Sequence, residues 1–201
     1  MSLSSHRRIP IRALVLTAMF SACATVLMFL DFSVPFMPAF LKMDISEFPA
    51  LLATFGIGPW GGVAVCLIKN LVNLTRTSTG GVGELSNFLL GVVFVLSAGL
   101  VYRLLKHRRF AALIGAVTGS VLMGLVSIPL NYYVTYPIYT RIMPIDTIIG
   151  MYQAIFPGVD GLLACLCLFN LPFTVAKGLI DTALCMPVYK RVSRYIEETK
   201  H

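Results

Sequence analysis

Between two long apolar runs, the stretch from Lys69 to Asn87 concentrates groups suited to holding a polar molecule. It carries Lys69, Asn70, Asn73 and Asn87, hydroxyls between Thr75 and Thr79, glycines at 80, 81 and 83, and Glu84. Such groups are costly beside hydrocarbon, so they have a partner or a task. Glu84 and Asn87, three apart, share a helical face. Asn131 follows Pro129 by two positions. Asn170, Thr174, Lys177 and Asp181 recur at helical spacing as a single polar stripe, and Lys42 and Asp44 add charge in an earlier loop. Donors and acceptors converging from several helices at one depth suit a planar ligand with a polar edge. Residue by residue, other readings stay open: Lys177 pairing with Asp181 one turn on, Lys69 snorkelling to the interface, Asn131 and Asn170 joining helices, and Arg76 as a solvated loop charge.

Other chemistries lack their residues. There is no G-x-x-x-x-G-K-[ST] phosphate loop, and the glycines at 80, 81 and 83 lack the preceding strand of a dinucleotide site. No Ser/His/Asp or Cys/His set offers a nucleophile. An intramembrane enzyme using Glu84 or Asp181 as acid or base is therefore disfavoured. The five cysteines lie in apolar runs, and Cys165-x-Cys167 has no second ligand pair for zinc. His6, His107 and His201 sit in basic or terminal segments, so no metal site is expected.

The elements that must position these groups are membrane spans. The chain is 57% hydrophobic and 12% charged, where a soluble domain has about 25% charged residues. The expected fold is an all-α membrane protein: a six-transmembrane-helix bundle with short, broken second and third helices and a capping outer loop. It forms a single domain over 1–201, with spans near 9–30, 45–57, 60–73, 85–102, 110–130 and 161–189. The break falls at Gly56-Ile-Gly-Pro-Trp-Gly-Gly62, whose Gly-Pro and Gly-Gly steps interrupt helices. Pro35 and Pro38 shape the loop at 31–44, which is too apolar to be a free linker and should fold down. A tyrosine-rich segment, 131–160, is expected outside.

Eleven of the sixteen basic residues lie in three clusters, at Arg7 to Arg12, Arg103 to Arg109 and Lys190 to Lys200. Read with the positive-inside rule, these place both termini in the cytoplasm and give an even number of crossings before residue 103. The net charge of +7 is thus a topology signal, and no nucleic-acid partner is expected. The apolar run after the basic lead ends without a clean small-residue cleavage site, so a retained first helix is expected. Its small residues, with Ala18 and Ala22 at the centre, permit close helix approach, within this chain or against a partner.

Several strings resemble riboflavin-specific S components of energy-coupling factor transporters. They are Pro38-Ala-Phe-Leu-Lys-Met-Asp-Ile-Ser-Glu-Phe-Pro-Ala-Leu-Leu52, Gly58-Pro-Trp-Gly-Gly62, Lys69-Asn70, Ser78-Thr-Gly-Gly-Val-Gly-Glu-Leu-Ser-Asn-Phe88, Leu130-Asn-Tyr-Tyr133 and Pro172-Phe-Thr-Val-Ala-Lys-Gly178. The likeness covers nearly the whole chain in order. It implies a multi-pass subunit of the bacterial cell membrane that captures riboflavin outside and needs no cofactor. The vitamin is cargo, delivered inward with a transmembrane coupling subunit and two partner ATPases. By the same resemblance Asn131, Thr174 and Lys177 address the isoalloxazine edge, and Leu41 with Lys42 to Asp44 closes the lid. Glu84 and Asn87 meet the ribityl hydroxyls or hold the loop. Ala18 and Ala22 resemble the motif that docks on the coupling subunit. One position departs: Thr174 stands where the family has asparagine, with a hydroxyl in place of an amide. Asn170, one turn earlier, is placed to compensate. FMN or another vitamin is the alternative ligand, given Lys42, Lys69 and Arg76 near the outer face.

Overall fold

The computed structural model describes residues 11–198 apart from 39, 78 and 107, with side chains as far as Arg191. Arg7, Arg8, Lys200, the three histidines and the start of the first expected span lie outside the described residues.

Among the described residues four helices are long and apolar enough to cross a membrane: Ile11–Phe29, Val82–Leu104, Ala111–Tyr139 and Leu162–Arg191. The first, α1 (Ile11–Phe29), turns Ser21, Ala24 and Met28 inward against α2 and α3. Its hydroxyls are satisfied within the helix, Thr17 donating to the Ala13 carbonyl, Ser21 to Thr17 and Thr25 to Ser21. The remaining surface of α1 is apolar and exposed, including Leu14, Met19 and Val26. Exposed leucine and valine side chains continue along the other long helices, as expected of a surface facing lipid.

After α1 the chain forms a two-residue ladder between β1 (Phe32–Ser33) and β2 (Lys42–Met43), then α2 (Glu47–Gly56) and α3 (Pro59–Asn73). The junction is Ile57-Gly58, with Gly58 at φ 134°, a conformation glycine reaches without a Cβ penalty. Pro59 then starts α3 at a position where its missing N–H costs nothing. Apart from Phe48 and Gly56, every residue of α2 is buried, the pattern of a helix enclosed on all sides. Its Leu51, Leu52 and Phe55 join Phe94, Ala98, Ala116 and Met123 in the main core.

A left-handed turn at Gly80 and Gly81 (φ 61° and 87°) leads into α4 (Val82–Leu104), which packs along α5 (Ala111–Leu130). Where an end at 130 was expected, the helix runs on through a wide π turn, Asn131–Thr135, into α6 (Tyr136–Tyr139). A second π turn, Leu166–Asn170, joins α8 (Leu162–Cys165) to α9 (Leu171–Glu198), and the amphipathic α7 (Ile145–Gln153) lies between the two long units. The two π turns have one cause. Each closes on an N–H bonded five residues back, Tyr136 to the Asn131 carbonyl and Leu171 to the Leu166 carbonyl. In each case a proline follows at once, Pro137 or Pro172. Proline has no N–H and crowds the carbonyl four residues earlier, and the wider turn relieves that crowding.

Candidate functional site

A cavity of about 210 Å³ opens at the end of the bundle that carries the 31–46 loop and the Gly80–Gly81 turn. Leu41, Lys42, Asp44, Glu84, Asn87, Asn131, Thr174 and Lys177 all line it. The structure thus brings together the eight positions singled out from the sequence, although they come from four separate regions. Sequence reasoning did not single out Glu47, Ser86, Tyr136 or Tyr139, of which Glu47, Tyr136 and Tyr139 are joined by Phe40, Phe173 and Asn73 in the wall. Ser86 also lines it and donates to Asn131 Oδ1 at 3.1 Å. Pro137 and Pro172, each two residues beyond a π turn, mark in the sequence where the helices widen.

The floor is a buried ionic network. Lys177 Nζ donates to Asp44 Oδ2 at 2.7 Å and to Asn87 Oδ1 at 3.2 Å. Asp44 Oδ1 accepts from the Ser46 backbone N–H at 2.9 Å and from the Ser46 hydroxyl. Lys69 donates to Ser46 Oγ at 2.6 Å and to Glu47 Oε1 at 2.5 Å. Asn87 Nδ2 donates to Asn70 Oδ1 at 3.2 Å, which closes the set. Two lysines thus meet two carboxylates, Asp44 and Glu47. Burial works against the Asp44 charge, but the Lys177 and Lys69 ammoniums beside it outweigh this and hold its carboxyl well below the usual range.

Two open readings are thereby decided. Lys69 does not snorkel: it is fully buried and paired with Glu47. Lys177 bonds Asp44, while Asp181 deeper on α9 accepts the Phe48 N–H at 2.9 Å and so ties the start of α2. Gly91 makes room for the network. A Cβ there would lie 3.0 Å from Glu47 Oε1 and 3.2 Å from Cys66 Sγ.

Glu84 holds the Gly80–Gly81 loop. It accepts from Asn73 at 3.2 Å, Thr77 at 2.9 Å and Thr79 at 3.1 Å. Thr79 Oγ1 also accepts from the Gly83 N–H at 3.1 Å. At the rim, Lys42 pairs with Asp31 at 3.0 Å in a solvent-exposed bridge, and Arg76 stacks its guanidinium 4.7 Å from the Phe29 ring centroid. The 31–44 loop, expected to fold down, does so along one side through Met37, Phe40 and Leu41. Phe40 meets Tyr152 edge-on at 5.8 Å, and Met37 and Leu41 pack on the cluster around Tyr136 and Tyr152. Phe32 and Phe36 point outward.

Ala18 and Ala22 sit elsewhere, exposed on α1. No group of three or more His, Cys, Asp or Glu side chains able to hold a metal occurs among the described residues.

The fold is a bundle with helices long and apolar enough to cross a membrane and a polar-lined cavity near one end. The chain belongs to the family described as ECF transporter, substrate-specific component, whose model matches residues 12–189. It is 32% identical over 186 residues to the riboflavin transporter RibU of Staphylococcus aureus (strain TCH60), covering 92% of this chain and 93% of that protein. It is 29% identical over 195 residues to the riboflavin transporter FmnP of Bacillus subtilis (strain 168), covering 94% and 96%. A solved structure of the S component of a bacterial ECF transporter superposes with a TM-score of 0.74 at 31% identity, over 94% of this chain and 99% of that one.

Proposed function

We propose that this chain is the riboflavin-binding subunit of an energy-coupling factor importer. The observation that carries the reading is the cavity itself, a polar floor of Asn87, Asn131, Thr174 and Lys177 facing aromatic walls from Phe40, Tyr136, Tyr139 and Phe173. A flavin has the matching shape, a flat apolar ring with a polar edge. The naming of relatives at about this level of identity as riboflavin transporters supports the same ligand. Asn131, Thr174 and Lys177 address the ring edge, and Leu41 with Lys42 to Asp44 closes over it. Asn87 faces the ligand from the floor, and Glu84 keeps the loop beside it in place.

In this reading α2 and α3 are two short crossings, which makes six in all. At 1.5 Å per residue they reach only about 15 and 22 Å, short of the roughly 30 Å hydrocarbon core, and the shortfall leaves depth for the cavity. Both termini and the cluster of Arg103, Lys106, Arg108 and Arg109 face the cytoplasm of a bacterial cell. The cavity opens outside. A transmembrane coupling subunit docks on the Ala18 and Ala22 face of α1, and two ATPases supply the energy.

Titration of purified protein with riboflavin, followed by quenching of flavin fluorescence, tests the ligand. Saturable quenching at or below micromolar concentration is expected, and its absence would refute the assignment. A second reading takes FMN, since Lys42 and Arg76 stand at the cavity rim within reach of a phosphate on the ribityl end. Lys69 takes no part in it, being buried on Glu47. Competition between riboflavin, FMN and unrelated vitamins separates the two.

A further inference from the structure

Asn170 closes the second π turn and lines the cavity one helical turn before Thr174. Its Oδ1 accepts the Tyr152 hydroxyl at 2.7 Å. Tyr152 is fully buried on α7, and burial with Tyr136 beside it raises its phenol above the usual range, so it remains a donor. A phenol has one hydrogen. The Tyr152 hydrogen is committed to Asn170, so the 2.6 Å contact between the Tyr136 and Tyr152 hydroxyls uses the Tyr136 hydrogen. The relay therefore runs from Tyr136 to Tyr152 to the Asn170 carbonyl oxygen; the other end of that amide carries two N–H donors, one turned to the Tyr136 oxygen and the other left for the cavity.

Asn131 repeats the arrangement. It opens the first π turn, and its Oδ1 accepts from Ser86 at 3.1 Å, which leaves its NH2 group. Lys177 commits two of its three N–H groups to Asp44 and Asn87. The site is thus rich in donors, and Tyr136, its hydrogen spent, can only accept.

Resting on the riboflavin reading, we infer that Asn170 is a ligand-contacting, specificity-determining residue that donates its amide N–H to an acceptor on the flavin edge, with Tyr152 as the positioning residue that fixes the amide's direction. The flavin edge has the complementary pattern, with two carbonyls and two bare ring nitrogens against a single N–H. Asn170 supplies from one turn earlier the amide that Thr174 lacks. A donor-fixed amide discriminates strongly, because a ligand without the acceptor leaves a buried N–H unpaired.

The test compares riboflavin with its 2-thio and 4-thio analogues, whose sulfur is a weak acceptor, by fluorescence titration at mildly alkaline pH with a thermal-shift control for folding. Asn170→Asp keeps the size and still accepts from Tyr152 but removes both donors. Tyr152→Phe keeps Asn170 and releases its orientation. Wild type is expected to prefer riboflavin over at least one thio analogue. Asn170→Asp should weaken riboflavin about tenfold while barely changing that analogue, and Tyr152→Phe should narrow the same preference. The inference is overturned if wild type does not discriminate, or if both variants lose riboflavin and the analogues in equal proportion, as a plain tether between α7 and α9 would. It is overturned alone if wild type binds riboflavin and both variants keep its selectivity. A wild type that binds no flavin removes the functional reading along with it.

Discussion

Asp44 and Lys177 lie 133 positions apart in the chain and 2.7 Å apart in the fold. The first ends the loop that packs along one side of the cavity, and the second stands on α9. The pair therefore ties that loop to α9, and the Asn87 side-chain carbonyl oxygen holds the same ammonium from α4.

Removing one partner of so buried a pair strands the other charge, at a cost of about 3 kcal/mol. Lys177→Met is accordingly expected to lower the melting temperature and to weaken riboflavin at least about tenfold, since a charged hydrogen bond is lost. The double variant with Asp44→Asn should recover much of the stability and little of the affinity. Thermal shift and flavin titration on the three proteins decide it, and recovery of both properties would deny Lys177 any contact with ligand.

The depressed Asp44 carboxyl sets the sign of a pH effect. A folded value below the ordinary 3.8 makes the contribution complete above about that pH. It is lost only as pH falls further, toward the folded value. Riboflavin affinity should therefore be flat with respect to Asp44 between about pH 7 and pH 5. A fall across that range in wild type that Asp44→Asn abolishes would contradict the assignment.

The two other ion pairs should differ in rank. Lys69–Glu47 is shut away from solvent, whereas Lys42–Asp31 has side chains 42% and 33% exposed. Lys42→Met is expected to change stability by about 0–1 kcal/mol, less in high salt. Lys69→Met should cost about 3 kcal/mol and show little salt dependence. Chemical or thermal unfolding at low and high salt would expose any reversal of that order.

Ala18→Trp places a large ring on the exposed face of α1, away from the inward Ser21, Ala24 and Met28. It should abolish uptake in cells that carry the whole transporter while flavin binding by the purified subunit stays within about twofold, as surface changes do. Equal loss of uptake and binding would mean that this face packs inside the subunit.

Much of the cavity lining was legible because polar residues in an apolar chain declare themselves. The stripe at 170, 174, 177 and 181 and the cluster from 69 to 87 stood out against hydrocarbon, and all eight marked ligand positions line one cavity. Glu47, Ser46 and Tyr152 were not legible as partners. They belong to a short buried helix, its cap and an amphipathic surface helix, where a single polar residue has no periodic signature. The continuation of α5 past Pro129 was also missed, because proline is commonly read as an end and the π turn that accommodates Pro137 is not visible in hydrophobic periodicity.

By itself the sequence determined the membrane class, the basic clusters and the polar positions that had to be brought together, since composition and period act locally along the chain. Only the tertiary structure decided which group meets which: Lys177 with Asp44, Lys69 with Glu47, and Tyr152 with the Asn170 carbonyl oxygen. The physical reason is that a buried charge or amide takes whichever partner the packing of distant helices brings within about 3 Å, and that proximity is a property of the closed bundle.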